Sequence, residues 1–290
     1  MDTVEALKTL GVTAKDLTEA QRKAFDDQGY FIVENVFTPE QCALMGHEFD
    51  RIRLKEGLKA GIEVSQEPGS VRISDLFNKS AAFDCLLRCK PILATAYHAM
   101  GEFKIHGGTV REPGVGRGDQ PLHCDSYKMP DGGIVFINAL ILFDDMTLDN
   151  GPTRIVPGSH KWPAYNVPGV NVLYGEPVKK LWNEKDGAEG DVAVAEVKEA
   201  PEPGSEHFPE DPYAPYPGEI KVTVKAGTIV VCNAHMWHSG TVRNTNARRR
   251  QFHLTYTRRE LPQQMDQRKY LTQALYDRMG PAERFVLDIE

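Results

Sequence analysis

His123-Cys124-Asp125 is the first place in the chain where residue types and spacing can do chemistry. On an extended strand alternate residues project to one face, so His123 and Asp125 can grip one metal ion while Cys124 turns away. Two ligands leave the set short by one. A facial set of two histidines and one carboxylate keeps positions open for a bidentate co-substrate and for O2, and marks non-haem iron(II) oxygenases. His-x-Asp pairs also arise by chance, so the rest of the set must be found. The run VVCNAHMWHSGTVRNTNARRRQFHLTY (Val230 to Tyr256) ends a β-rich stretch on His235 and His238 and then enters an arginine-bearing stretch. If 2-oxoglutarate is the co-substrate, its far carboxylate needs a cation. Arginine suits it, because the planar fork meets a carboxylate with two parallel hydrogen bonds.

The elements that must position these residues follow from patterning. Thr18-x-x-Gln21 is a capping box that opens a helix through about Asp27. Tyr30 to Phe37 is β-branched and aromatic, as a strand is. Thr38-Pro39-Glu40-Gln41 starts a second helix, with Cys42, Met45, Phe49 and Ile52 on one face. A third helix is expected over about Ala81 to Met100, with Cys85 and Cys89 as core thiols one turn apart. From Glu102 the period changes to two. Strands are expected at Phe103–Arg111, Ile134–Phe143, Thr153–Val156, Ile220–Val224, Thr228–Asn233 and Arg249–Thr257, separated by Gly, Pro, Asp and Asn turns. Helices followed by many short strands indicate a mainly β barrel or sandwich with a helical flank. The region 162–218, rich in proline, glycine and acid, breaks this rhythm. Part of it is expected to act as a lid, with Trp182, Tyr213 and Tyr216 offering apolar contact. The organisation expected is one domain over 1–290: a helical flank to about 100, a barrel over about 102–258, and a helical tail over about 262–290.

Composition narrows the partners. Hydrophobic residues make up 41% and charged residues 26%, as in globular proteins. The net charge of −7 gains little from phosphate neutralisation, which argues against nucleic acid and for a small or neutral molecule. No stretch reaches the ~18 apolar residues of a membrane helix, so no membrane partner is expected. The acidic, amphipathic start lacks the features of a signal peptide, and the five cysteines form no CxxC pair. Reduced thiols and a cytoplasmic location are the expectation.

Four runs, in order, resemble the phytanoyl-CoA hydroxylase (phytanoyl-CoA dioxygenase) family of Fe(II)/2-oxoglutarate-dependent dioxygenases. LTEAQRKAFDDQGYFIVENVFTPEQC is similar to its N-terminal helix, Gly-Tyr strand and second helix. QPLHCD is similar to its first metal motif, and LFDDMTLDNGPTRIVPGSHK to its most characteristic run. WHSGTVRNTNARRR is similar to its distal histidine and co-substrate arginine. The resemblance covers most of the chain outside about 162–218. It implies a double-stranded β-helix (jelly-roll, cupin-like) core and a hydroxylase that uses Fe(II), 2-oxoglutarate and O2, releasing succinate and CO2. Carried over residue by residue, it implies His123, Asp125 and His238 as iron ligands and Arg249 as the 2-oxoglutarate arginine. Related halogenases have a small residue where this chain has Asp125, so halogenation is not implied. Ser-Gly-Thr follows His238 where the family often has Gly-Ser-Gly, so the hydroxyl assisting the arginine is either Ser239 or Thr241.

Rivals stand beside several of these. His235 competes with His238; the Trp-His-Ser-Gly context and the spacing to Arg249 favour His238. Arg250 competes with Arg249; strand parity groups Arg249, Gln251, His253 and Thr255 on one face and Arg250, Phe252, Leu254 and Tyr256 on the other, which favours Arg249 for the interior. Asn138 is a candidate contact for 2-oxoglutarate. The family often presents a basic residue from the region of Arg72 to co-substrate or substrate, against a plain surface ion pair. Tyr127, two residues past Asp125, and His106, on a predicted strand, are candidate substrate contacts. His160 reads as a turn residue and Asp144-Asp145 as a solvated strand end. A cupin-like metalloenzyme of another reaction class and a non-catalytic barrel binding protein remain the alternatives.

Overall fold

Thr18 and Thr38 set the first long helices by local hydrogen bonding. Each threonine side-chain oxygen accepts from the backbone N–H of the glutamine three residues on, and each glutamine side-chain oxygen accepts from the threonine N–H. They open α2 (Glu19–Gln28) and α3 (Pro39–Glu56), which follow a short α1 (Thr3–Thr9). The structure is a computed structural model that describes residues 1–129, 131–167 and 207–290. After α4 (Leu76–Lys79), a single third helix does not form. A 3-10 segment (Ala81–Arg88) is followed at Cys89 by extended backbone and then by α5 (Lys90–Met100). Pro91 explains the break, because proline is accepted in a first helical turn but not in an interior. Cys85 and Cys89 therefore do not share one helix. All five cysteines are free.

The strands are β1 (Tyr30–Val33), β2 (Ser70–Ile73), β3 (Phe103–Pro113), β4 (Phe136–Leu142), β5 (Thr153–Ile155), β6 (Ile220–Lys221), β7 (Ile229–Asn233), β8 (His238–Gly240) and β9 (Gln251–Arg258). A six-stranded antiparallel sheet runs β1-β7-β4-β9-β3-β2, and a three-stranded sheet runs β6-β5-β8. The flank before residue 100 is thus not purely helical, since β1 and β2 form both edges of the large sheet. β1 stops short of Phe37 because Asn35 turns into the left-handed region, at φ 57°. β9 starts at Gln251 rather than Arg249, and β6 ends at Lys221, although Val224 still bridges Met146. The C-terminal helices α6 (Gln267–Tyr270), α7 (Gln273–Arg278) and α8 (Pro281–Leu287) complete the chain, with α8 packed on α1. Among the described residues no helix is long and apolar enough to cross a membrane.

The large sheet separates two interiors. Ile137, Ala139 and Ile141 of β4, Ile229 and Val231 of β7, and Phe252, Leu254 and Tyr256 of β9 face the helices and form the main core with Phe49, Phe83 and Leu93. The alternate residues face the small sheet. There, Leu140, Leu142, Val230 and Cys232 pack with Ile155, Val222 and Met236. Towards one end this second interior opens into a cavity of about 300 Å³, lined by both sheets.

Candidate metal centre

Three side chains converge on the cavity wall. His123, Asp125 and His238 each offer one donor atom, and these atoms lie within 4.8 Å of one another. Asp125 Oδ1 is 3.5 Å from His123 Nε2, and Asp125 Oδ2 is 3.4 Å from His238 Nε2. His123 and Asp125 do not lie on a regular strand. The geometry comes instead from an isolated antiparallel bridge, in which the His123 and His238 amides each donate to the other's carbonyl, at 3.0 and 2.8 Å. The Asp125 amide donates to the Ala234 carbonyl, and the Leu122 and Cys124 amides donate to Pro212 and Tyr165 on the opposite side. Cys124 turns into a buried aromatic cluster with Trp237. Alternation thus survives over three residues without a sheet.

The two imidazoles are held in the same orientation by backbone carbonyls. His123 Nδ1 is 2.8 Å from the Pro121 carbonyl, and His238 Nδ1 is 2.9 Å from the Met236 carbonyl. A carbonyl only accepts, so each Nδ1 carries a proton and each Nε2 is turned to Asp125. Burial opposes a charge on Asp125, but His238 and His123 hold its carboxyl well below the usual range. Burial likewise opposes a charge on His238, and Asp125 raises it above its ordinary value all the same. Asn138 Nδ2 donates to Asp125 Oδ2 at 2.5 Å, and Thr255 Oγ1 donates to Asn138 Oδ1 at 3.0 Å. Two imidazoles and an oriented carboxylate are a donor set that fits a divalent transition metal.

Arg249 is fully buried, and among the described residues none of its three guanidinium nitrogens has a hydrogen-bond partner. Burial, then the nearby Arg111, pushes its pKa down to about 9, so it remains cationic at neutral pH. An isolated buried cation is costly unless a counter-ion arrives. Arg249 is not itself a lining residue of the cavity; Gln251, two residues on, is. Arg250 is engaged elsewhere, with Asp144 at 2.7 Å and Asp50 at 3.1 Å.

The other expected residues divide. Asn138, Ser239, Arg72 and His106 line the cavity; Tyr127 and Thr241 do not. Past Asp125 the chain leaves the alternation, and Tyr127 packs with Val135 and Phe136 instead. The Thr241 hydroxyl donates to the Pro152 carbonyl at 2.7 Å. Ser239 Oγ accepts from Arg154 Nε at 2.5 Å, which leaves its own proton to be given. Among the described residues Arg72 makes no direct ion pair with a carboxylate; it donates to the hydroxyls of Ser65 and Thr109, and Glu67 acts on it electrostatically. His106 stacks on Phe136 with centroids 5.1 Å apart, and burial lowers its pKa to about 4. His235 is buried and stands outside the three-residue cluster. His160 lies in a one-turn 3-10 segment and meets the Asp26 carbonyl. Of the region 162–218, residues 168–206, with Trp182, lie outside the described residues. Tyr216 packs against Trp237, whereas Tyr213 is exposed.

Sequence reading missed Arg111 and Glu67, which line the cavity as an ion pair, with Arg111 Nε 2.7 Å from Glu67. It also missed Arg154, buried and bonded to Ser239, Pro212, Ala214 and Glu219. Arg111 was accessible through the period of two on β3, where it shares a face with Thr109.

Two antiparallel sheets around a His-Asp-His cluster define a sandwich with a candidate metal centre. The chain belongs to the phytanoyl-CoA dioxygenase (PhyH) family, whose model matches residues 25–252. It is 31% identical over 181 residues to the dioxygenase sphC of Aspergillus fumigatus, covering 55% of this chain and 49% of that protein. Against the Fe(II)/2-oxoglutarate-dependent dioxygenase nvfF of Aspergillus novofumigatus the identity is 30% over 158 residues, covering 48% and 53%. The chain spans about half the length of the curated relatives it matches. In fold it is similar to HygX from Streptomyces hygroscopicus, solved with nickel and 2-oxoglutarate bound, at TM-score 0.57 and 18% identity, covering 85% of this chain and 89% of that one.

Proposed function

We propose that this chain is an iron(II)- and 2-oxoglutarate-dependent dioxygenase, one domain on a double-stranded β-helix, that hydroxylates a small molecule. The observation that carries this reading is the convergence of His123, Asp125 and His238 on a cavity beside the buried, unpartnered Arg249. Membership of the family and the names of its relatives support it.

In this reading His123, Asp125 and His238 hold iron(II), and Asn138 fixes the Asp125 carboxylate rather than touching 2-oxoglutarate. Arg249 takes the far carboxylate of 2-oxoglutarate, supplying the fork that a single ammonium lacks. Ser239, with its oxygen already occupied by Arg154, donates its proton to the same carboxylate. Bound iron(II) supplies the redox chemistry: one O2 and one 2-oxoglutarate are consumed, a substrate C–H becomes C–OH, and succinate and CO2 leave. Leu140, Ile155 and Met236 give the cavity wall an apolar surface that limits water.

Protein prepared without air is expected to bind one iron(II) per chain and, with substrate, to release succinate and CO2 in equal amounts. Asp125→Ala and His238→Ala abolish both binding and release. If His235→Ala lost the metal while His238→Ala kept it, the ligand set would be wrong.

A further inference from the structure

Arg249 stands just outside the sheet that carries it. The β9 ladder opens two residues later, at Gln251, opposite Leu142 of β4 and Arg111 of β3. Its guanidinium is fully buried, and among the described residues no partner grips it. The direction of this side chain must therefore come from the backbone on either side. The two planar peptide groups that flank a Cα set its φ and ψ, and with them the course of the Cα–Cβ bond.

Side chains hold both of those peptide groups. Before Arg249, the Arg248 carbonyl accepts from Asn150 Nδ2 at 3.2 Å. Asn150 is buried and its carboxamide is itself fixed, donating to the Asp145 carbonyl at 2.7 Å and accepting from the Thr147 amide at 2.8 Å. After Arg249, the Arg250 amide donates to Asp144 Oδ2 at 2.8 Å. Arg250 also donates to Asp144 through Nε and Nη2, at 2.8 and 2.7 Å, so Asp144 is not the solvated strand end expected from sequence. The guanidinia on either side of Arg249 both reach α3 and share one carboxylate there. Arg248 meets Asp50 with two bonds of 2.7 Å, and Arg250 meets it at 3.1 Å. Gly46 on α3 leaves the room for this, since a Cβ there would stand 2.7 Å from Arg250 Nη1.

We propose that Asp144 and Asn150 are positioning residues for the co-substrate: by holding the peptide groups on both sides of Arg249, they aim its guanidinium at the far carboxylate of 2-oxoglutarate. The proposal rests on the dioxygenase reading. Neither residue touches 2-oxoglutarate; each acts through Arg249. A two-bond contact between guanidinium and carboxylate tolerates little error in where the fork is placed, so a loosened backbone here weakens that contact and leaves the metal end of the ligand alone.

The test separates the two ends of the co-substrate. Protein is loaded without air with iron(II), and calorimetry measures binding of 2-oxoglutarate and, separately, of pyruvate, which has the same 2-oxo acid group but lacks the far carboxylate. Asp144→Ala and Asn150→Ala should each weaken 2-oxoglutarate at least tenfold, with pyruvate and iron(II) affinities moved less than twofold. Asp144→Asn keeps an oxygen for the Arg250 amide and should recover part of the loss. If Asp144→Ala fails to fold by circular dichroism, Asp144→Asn carries the test, with a loss of at least threefold for 2-oxoglutarate and none for pyruvate. Unchanged 2-oxoglutarate affinity in the folded variants overturns the proposal. So does an equal loss of both 2-oxo acids or a loss of iron(II), which would make the two residues merely structural. Failure of the wild-type protein to bind iron(II), or to prefer 2-oxoglutarate to pyruvate, would instead strike the dioxygenase reading.

Discussion

Along β9 one backbone serves two interiors with opposite rules. Towards the helices, Phe252 lies 5.8 Å from Phe77 and 5.7 Å from Phe83, and Tyr256 meets Phe103 edge-on at 5.5 Å. Towards the cavity, Gln251, His253 and Thr255 alternate with them, and Arg249 precedes them unpartnered. The first side gains free energy from excluded water and close packing. The second holds polar groups at a cost that packing elsewhere must offset, and a ligand recovers part of that cost. Cohesion and recognition are thus divided between odd and even positions of a single strand.

Exchanging the roles of the two faces is the hardest test. Arg249→Met should lower 2-oxoglutarate affinity at least 100-fold in calorimetry. It should also raise ligand-free stability, since burying a single ion without a partner costs several kcal/mol that methionine does not incur. A ligand-free protein made less stable by this change would show that Arg249 already has a counter-ion.

Phe252→Ala attacks the other face. It should cost about 3–5 kcal/mol in urea unfolding, while the protein that remains folded binds 2-oxoglutarate with wild-type affinity. Coupled loss of both would mean that the faces are not independent.

Acid sharpens the comparison further. Burial holds the His106 pKa at about 4 in the folded chain, below the ordinary 6.5 that an unfolded chain restores. Between those values the unfolded state binds more protons, so stability is full above about pH 6.5 and falls as pH drops towards 4, by up to ~1.4 kcal/mol per pH unit. His106→Gln should therefore narrow the stability gap between pH 7.5 and pH 5 by roughly 2 kcal/mol. An unchanged gap in urea titrations would refute the depressed value. The smallest effect belongs to Thr241→Val: about 1 kcal/mol of stability for a lost hydrogen bond, and less than twofold in 2-oxoglutarate affinity, against several-fold for Ser239→Ala.

What could be read from sequence follows the same division. Parity placed Phe252, Leu254 and Tyr256 opposite Gln251, His253 and Thr255, because apolar and polar types alternate without exception there. Thr18 and Thr38 declared their helices through bonds that span only three residues. Long-range placement was less legible. The strand inferred at His123-Cys124-Asp125 is a bridge held by His238, Ala234, Pro212 and Tyr165, partners up to 115 residues away in sequence (238 minus 123). Tyr127 was misplaced because it extended an alternation that stops at Asp125. Arg111 and Glu67 were missed because their pairing brings together β3 and the loop before β2, which nothing local announces.

The aromatic cluster beneath His238 has a consequence for how such a chain can change over time. Trp162 stacks on His207 with centroids 4.4 Å apart, and Tyr165 stacks on Phe208 at 5.2 Å, all beside Trp237. Chain leaving near Val167 and chain returning near His207 therefore meet at one fixed doorway. Insertions, deletions or wholesale replacement between those two points begin and end at the same coordinates. The posts of that doorway, Trp162 and Phe208, both pack on Trp237, the residue next to His238. Novelty can be sampled there while the inherited centre stays in register.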